Sequence, residues 1–288
     1  MVLWHVVVLA IVQGLAELLP VSSSAHVIVA EKLLGMDPAA PETTVLLVML
    51  HTGTMFAVIA YFWNRWRKAF FQSFDDFKAF FVAVVVATIL TGVVGGALTE
   101  GIEKFLLRGA SKAWVEELFG RLDLIAAALA AAGILILVAG LREKRSLAQA
   151  ATSSRSDLAK ASWIGAIQGF CLPFRGFSRS GATISTGMLA GVPKVRAEDF
   201  SFALAVVLTP VAIAREILRL VKTQHLHSIA SLMPQLTPSL IGAGCAFLAG
   251  LVALKWLSKW LESGKWYWFG IYCLIAAATV AWLYHIGY

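Results

Sequence analysis

Two short stretches hold the residues able to do chemistry. In the first, Gln13 and Glu17 lie four apart, on one face of a helix, and Ser22, Ser23, Ser24 and His26 follow. The second, residues 173–185, sets Arg175 and Arg179 among Ser178, Ser180 and Thr183, with Gly176 and Gly181 between them. Guanidinium forks match phosphate oxygens. Small hydroxyls, with backbone N–H groups opening a helix near Gly181, complete an anion cradle. Glu17 needs a partner in apolar surroundings. Arg179 is one, and a divalent cation is another, because carboxylate and phosphate oxygens together suit Mg²⁺ or Ca²⁺. The set suits phosphoryl transfer: fixed cations stabilise the phosphoryl oxygens while a hydroxyl or imidazole attacks. A serine nucleophile needs a base, and near Ser23 the candidates are Glu17 and His26.

Each residue also has a plainer reading. Ser22 and Ser24 suit helix caps or packing, Arg175 can simply hold its loop, and Glu17 with Arg179 can be a structural ion pair. His51, inside an apolar run, reads as a core group. Trp256, Trp260, Trp266, Trp268 and Trp282 read as anchors at a membrane–water interface.

The surroundings decide where this chemistry takes place. Of 288 residues, 59% are hydrophobic and only 14% charged, and the mean hydropathy is +0.78. Soluble domains carry about 25% charged residues, so the chain is an integral membrane protein. Its net charge of +7 reads as basic loops that fix topology. No basic stripe on a soluble face appears, which sets nucleic acid aside as a partner. Cys171, Cys245 and Cys273 lack metal or redox spacing and read as small core residues. The amino-terminal segment has no basic n-region and no cleavage-like site, and is expected in the mature protein.

Residues 1–19 are apolar but interrupted by Gln13 and Glu17 and stopped at Pro20. A second short helix runs from about Ala25 to Leu34 and ends at Gly35. Two half-length helices around a polar turn predict a re-entrant hairpin. Spans are predicted at 44–63, 79–98 and 123–141, with a basic interfacial segment at 64–78, a charged loop at 99–122 and a polar linker at 142–160. Gly92, Gly95 and Gly96 suit close helix contact, and the Ala/Gly pattern of 123–140 is packing.

After the linker the order restarts. Ala166-Ile167-Gln168-Gly169-Phe170 echoes Ile11-Val12-Gln13-Gly14-Leu15, Pro173 echoes Pro20, and a second hairpin ending near Gly191 precedes spans at 199–218, 236–257 and 266–286. The expected fold is therefore an all-α polytopic membrane protein forming a single integral domain. It has an inverted-topology repeat (half one 1–141, linker 142–160, half two 161–288), each half one re-entrant helical hairpin plus three transmembrane helices. Such repeats place anion sites near the midplane, at broken-helix N-termini. The loops at 64–78, 142–160, 193–198 and 255–265 carry most of the Lys and Arg, which predicts that they share the cytoplasmic side; Lys104, Arg108, Lys112 and Arg121 fall on the other.

The runs Gln13-Gly-Leu-Ala-Glu17-Leu-Leu-Pro20-Val-Ser-Ser23-Ser-Ala-His26 and Gly176-Phe-Ser-Arg179-Ser-Gly-Ala-Thr183-Ile-Ser resemble the two signature motifs of the bacterial undecaprenyl-diphosphate phosphatase (bacitracin-resistance) family. The likeness covers essentially the whole chain in length, span order and motif placement. It implies a metal-dependent enzyme of the bacterial cytoplasmic (inner) membrane, its active site toward the periplasm. Such an enzyme hydrolyses undecaprenyl diphosphate to the monophosphate, recycling the lipid carrier of peptidoglycan synthesis. Bacitracin would compete by binding the polyprenyl diphosphate substrate, and a homodimer is compatible with the family.

Glu17 matches the family's essential glutamate, which also implies a metal ligand, with Gln13 in the other position of an acid-or-amide pair. Ser23 and His26 match the proposed nucleophile or acid/base, and Arg179 the pyrophosphate-binding arginine. Ser22, Ser178, Ser180, Thr183 and Arg175 are further substrate contacts. Two departures stand out. Gln13 is uncharged where many relatives have Glu, and Arg175 replaces a Pro common before the Gly-x-Ser-Arg-Ser run. The rival reading from another class is a transporter or flippase for a phosphorylated lipid or other anion, which the repeat and midplane site would suit equally. A Lys-x6-Arg-Pro run, the mark of acid-phosphatase-like lipid phosphatases, is absent.

Overall fold

A computed structural model describes residues 2–37, 40–105, 120–146, 157–223 and 233–287. Among them there are ten α-helices and no strand: α1 (Leu3–Leu18), α2 (Ser23–Leu33), α3 (Pro41–Phe70), α4 (Phe74–Phe105), α5 (Leu122–Ser146), α6 (Asp157–Cys171), α7 (Arg179–Leu189), α8 (Lys194–Thr223), α9 (Met233–Glu262) and α10 (Tyr267–His285). Six of these (α3, α4, α5, α8, α9 and α10) are long and apolar enough to cross a membrane. The four short helices form two pairs, α1–α2 and α6–α7.

The short helices end where their sequence requires. Leu19 precedes Pro20 and is pushed out of the helical region, to ψ 150°, as residues before proline are. Helix α2 opens on Ser22, whose hydroxyl accepts from the N–H of Ala25. It closes at Gly35, with φ +67°, where the Met36 N–H reaches the Glu31 carbonyl. Helix α7 is built the same way. Ser178 accepts from the N–H of Gly181, and Gly191, at φ +83°, closes the helix with Val192 bonded to Gly187. Glycine takes this left-handed conformation without a Cβ clash.

The pairs pack against helices distant in sequence. Helix α1 lies on α9, α6 on α4, and α5 on α10, while α3 is held between α9 and α8. Small residues set these approaches. A Cβ on Gly14 would meet the Ala246 carbonyl at 2.7 Å, one on Gly165 the Ala87 carbonyl at 2.3 Å, and one on Gly270 the Gly133 carbonyl at 2.7 Å. The largest buried cluster runs through the tips of both short pairs, with Leu18, Ile125, Ile136, Ile184 and Phe202 at its centre. Val93, Val211, Leu248 and Ile275 point outward, as lipid-facing residues do.

At one end of the bundle Arg65 pairs with Glu198 and Asp199, both at 3.0 Å. Ser258 donates to Glu198 at 2.9 Å, and Lys194 pairs with Glu143 at 2.8 Å. The ends of α3, α5, α8 and α9 therefore meet, which brings together the basic loops that the sequence assigns to one side.

Several expectations need correction. The interfacial segment at 64–78 does not form: α3 continues to Phe70 and α4 begins at Phe74. Charged residues there extend helices beyond the apolar run. Helix α4 likewise continues to Phe105 into the expected loop at 99–122, whose residues 106–119 lie outside the described ones. The linker at 142–160 shrinks from both sides, to between Ser146 and Asp157. Of the three glycines expected at close helix contacts in α4, only Gly95 makes one; Gly92 and Gly96 face open space. Trp266 is no interfacial anchor. It is fully buried, and its indole N–H donates to the Ser185 hydroxyl at 3.0 Å.

Candidate active site

The tips of the two short pairs meet. Ser180 donates to the Leu19 carbonyl at 3.2 Å, and the Gly176 N–H donates to the Ser24 hydroxyl at 3.2 Å. Glu17, near the end of α1, joins the two tips. Its Oε1 accepts from Arg179 Nη2 at 2.7 Å. Its Oε2 accepts from the Ser23 hydroxyl at 2.5 Å and from Gln13 Nε2 at 3.1 Å. Gln13, Glu17, Ser23 and Arg179 therefore form one cluster. Ser23 and Arg179 are each the first residue of their helix, so two helix N-termini converge on one carboxylate. N-termini carry partial positive charge, and together with the guanidinium they make the surroundings attractive to anions. Arg179 Nη1 is buried with no hydrogen-bond partner among the described residues, a spare donor beside the pair.

His51, on α3, stands with Nε2 3.6 Å from Glu17 Oε2. Its Nδ1 lies 2.8 Å from the Leu47 carbonyl and must be the donor there, because a carbonyl only accepts. A crevice lined by Glu17, His51, Thr54, Met55, Arg179 and Thr209 opens beside the cluster. Sequence reasoning passed over His51 because nothing in its apolar run marks it. The signal that existed was a histidine four residues after a carbonyl it could bond, on a helix passing the hairpin.

The other expected site residues build the frame. Ser22 caps α2 with φ +69°, a conformation costly for a residue with a Cβ, and its carbonyl accepts from His26 Nδ1 at 2.7 Å. His26 Nε2 is 2.7 Å from the Tyr272 hydroxyl. Ser178 caps α7. Thr183, fully buried, donates to the Arg179 carbonyl at 2.8 Å and meets Ser201 at 2.6 Å. Arg175 acts electrostatically on the buried Glu31 of α2.

The donor set bears on metal binding. Among the described residues no three His, Cys, Asp or Glu side chains gather as a metal group. Glu17 is one carboxylate, with the Gln13 amide and His51 Nε2 nearby. Mg²⁺ sites commonly use one or two carboxylates completed by substrate phosphates and water, and these residues fit that pattern.

The fold and site define a multi-pass membrane protein, all-helical among the described residues, with a partly buried acid–guanidinium pair made by two half-length helical hairpins. The chain belongs to the family described as "Bacitracin resistance protein BacA", whose sequence model matches residues 6–279. It is 54% identical over 283 residues to undecaprenyl-diphosphatase 2 of Acinetobacter baylyi, covering 96% of each chain. It is 34% identical over 287 residues to undecaprenyl-diphosphatase 2 of Burkholderia ambifaria, covering 96% of this chain and 95% of the relative. The same identity and coverage hold for undecaprenyl-diphosphatase 1 of Burkholderia pseudomallei.

Proposed function

We propose that the chain hydrolyses undecaprenyl diphosphate to undecaprenyl phosphate and inorganic phosphate at the Glu17–Arg179 cluster. Family membership and the 54% identity to a named undecaprenyl-diphosphatase support the reaction. The carrying observation for the site is the 2.7 Å contact between Arg179 and Glu17 at the meeting of two helix N-termini. Removal of the terminal phosphate recycles a lipid carrier used in peptidoglycan synthesis and underlies bacitracin resistance.

In this reading the diphosphate takes Glu17's place on Arg179, which then spans the phosphate oxygens with both guanidinium nitrogens. Ser23 Oγ attacks the terminal phosphorus as Glu17 Oε2 receives its proton. The bridging P–O bond breaks and the lipid phosphate leaves with the electron pair. Water then attacks the phosphoserine phosphorus, giving a proton to His26, which later releases it to solvent; the Oγ–P bond breaks, Ser23 Oγ takes back the proton held by Glu17, and inorganic phosphate leaves. A divalent cation, Mg²⁺ or Ca²⁺, would be held by Glu17 and the Gln13 amide oxygen and would supply positive charge beside the diphosphate. Ser178, Ser180 and Thr183 keep the arginine's backbone in place, while Ser22 and Arg175 flank the bound diphosphate.

The two halves read as inverted repeats. The matched packing of α1 on α9 and α6 on α4 supports this, as do the matched caps of α2 and α7. In this reading the protein lies in the inner membrane and its cluster faces the periplasm, away from the basic end held by Arg65. The test is phosphate release by the purified full chain from undecaprenyl or farnesyl diphosphate with Mg²⁺ or Ca²⁺. Wild type is expected to release phosphate and Arg179→Ala to lose about 10³-fold in rate. No release from folded wild type overturns the reaction, and activity surviving Arg179→Ala overturns the site.

A further inference from the structure

Helix α10 grips the tip of the first hairpin at two consecutive residues. Cys273 lies with Sγ 3.4 Å from the Pro20 carbonyl. Tyr272 places its hydroxyl 2.7 Å from His26 Nε2, and the two rings lie parallel, 11° apart in plane with centroids at 5.7 Å. His26 is fixed from its other side as well, because Nδ1 lies 2.7 Å from the Ser22 carbonyl. That carbonyl only accepts, so Nδ1 carries a proton in every charge state. In the neutral ring Nε2 is then an acceptor, and the Tyr272 O–H is the donor to it.

From this geometry we infer that Tyr272 is a positioning residue for hydrolysis, orienting through Nε2 a His26 whose Nδ1–H tautomer the Ser22 carbonyl sets, with Nε2 as the atom that gains and loses a proton. The inference rests on the acid/base role given to His26 above. A hydroxyl suits the task because it both donates and accepts. It donates to Nε2 when the ring is neutral and accepts from Nε2–H when the ring is protonated, so His26 changes charge without moving. Tyr272 is 46% exposed at the outer surface of the bundle, so its phenol is not held by a closed core. The strained Ser22 backbone, at φ +69°, also belongs to this arrangement. It aims one carbonyl at the imidazole while the same residue's hydroxyl caps the helix, the kind of local strain that marks functional sites.

Tyr272→Phe removes one oxygen and keeps the ring that stacks on His26, so the helix contact survives. In the detergent-solubilised full chain with farnesyl diphosphate, this variant is expected to lose about 10- to 100-fold in kcat, the range seen when a functional histidine loses its outer partner, with KM nearly unchanged. Nitrogen NMR of ¹⁵N-histidine-labelled protein is expected to show the His26 Nε2 resonance moving in Tyr272→Phe while Nδ1–H stays, and to show neither change in Tyr284→Phe. An unshifted His26 spectrum in Tyr272→Phe overturns the inference, whatever the activity. So does unchanged kcat in Tyr272→Phe when His26→Ala is inactive. A fully active His26→Ala removes the role on which the inference rests, and it falls too. Absence of phosphate release by folded wild type removes the reaction and this inference with it, whereas release by wild type with an unshifted Tyr272→Phe spectrum removes the inference alone.

Discussion

The two hairpins share a frame and differ in what they carry. Helices α2 and α7 have the same length, open on a serine that accepts from the third N–H after it, and close on a left-handed glycine. Their preceding helices each carry a glutamine followed by a glycine that presses on a distant helix. In the first hairpin Gln13 bonds Glu17, one turn on. In the second Gln168 is buried with neither amide atom partnered among the described residues, and Leu172 stands where the acid would be. The first hairpin supplies the carboxylate and hydroxyl, the second the guanidinium, and neither set is complete alone. Two hairpins with matched caps thus carry different parts of one site.

The sharpest way to break this comparison is to remove both partners. Glu17→Gln and Arg179→Ala are each expected to lower phosphate release by about 10³-fold. The double variant should lose little more than either single one, since groups that act as a unit are non-additive. Additive losses would show two independent roles rather than one shared cluster.

The glutamines sharpen the contrast further. Gln168→Met replaces an unsatisfied buried amide with an apolar group of similar shape and is expected to raise stability by about 1–2 kcal/mol with activity retained. Gln13→Met should instead lower phosphate release about tenfold, as loss of a supporting hydrogen bond to a functional group does. Thermal melts and rates on the two purified variants decide this, and equal effects would erase the distinction between the hairpins.

The capping serines give the smallest effect. Ser22→Gly relieves a left-handed Cβ and is expected to stabilise by about 0.5–1 kcal/mol after the small loss of the cap. Ser178, at φ −55°, has no such strain, so Ser178→Gly should destabilise by about 0.5 kcal/mol. Melting shifts of opposite sign are the expected reading.

Much of this was legible in the sequence, and for physical reasons. Apolar runs of membrane length mark the six long helices, and Pro20 with the serine turn marks the first hairpin. A carboxylate and a guanidinium surrounded by apolar residues point to each other. Hydropathy reports where the oil is, but not how far backbone hydrogen bonding continues past it, which is why the ends of α3 and α4 were misplaced around residues 64–78. Burial by tertiary contact was equally hidden: Trp266 looks like its exposed neighbour Trp268 until Ser185 is seen to bond it. His51 escaped because its meaning lies in the helix it passes, and His26 was legible but its partner Tyr272, 246 residues later, was not.

The contact of α1 with α9 also has a consequence for assembly. Glu17 precedes Arg179 by 162 residues, a delay of about 8–30 s at ordinary ribosome speeds of about 5–20 residues per second. Throughout that interval the nascent first hairpin has neither its counter-ion nor the helix that Gly14 presses against. The acid must wait at the bilayer, watered by the interface or sheltered by the insertion machinery, until the second half emerges and draws it in.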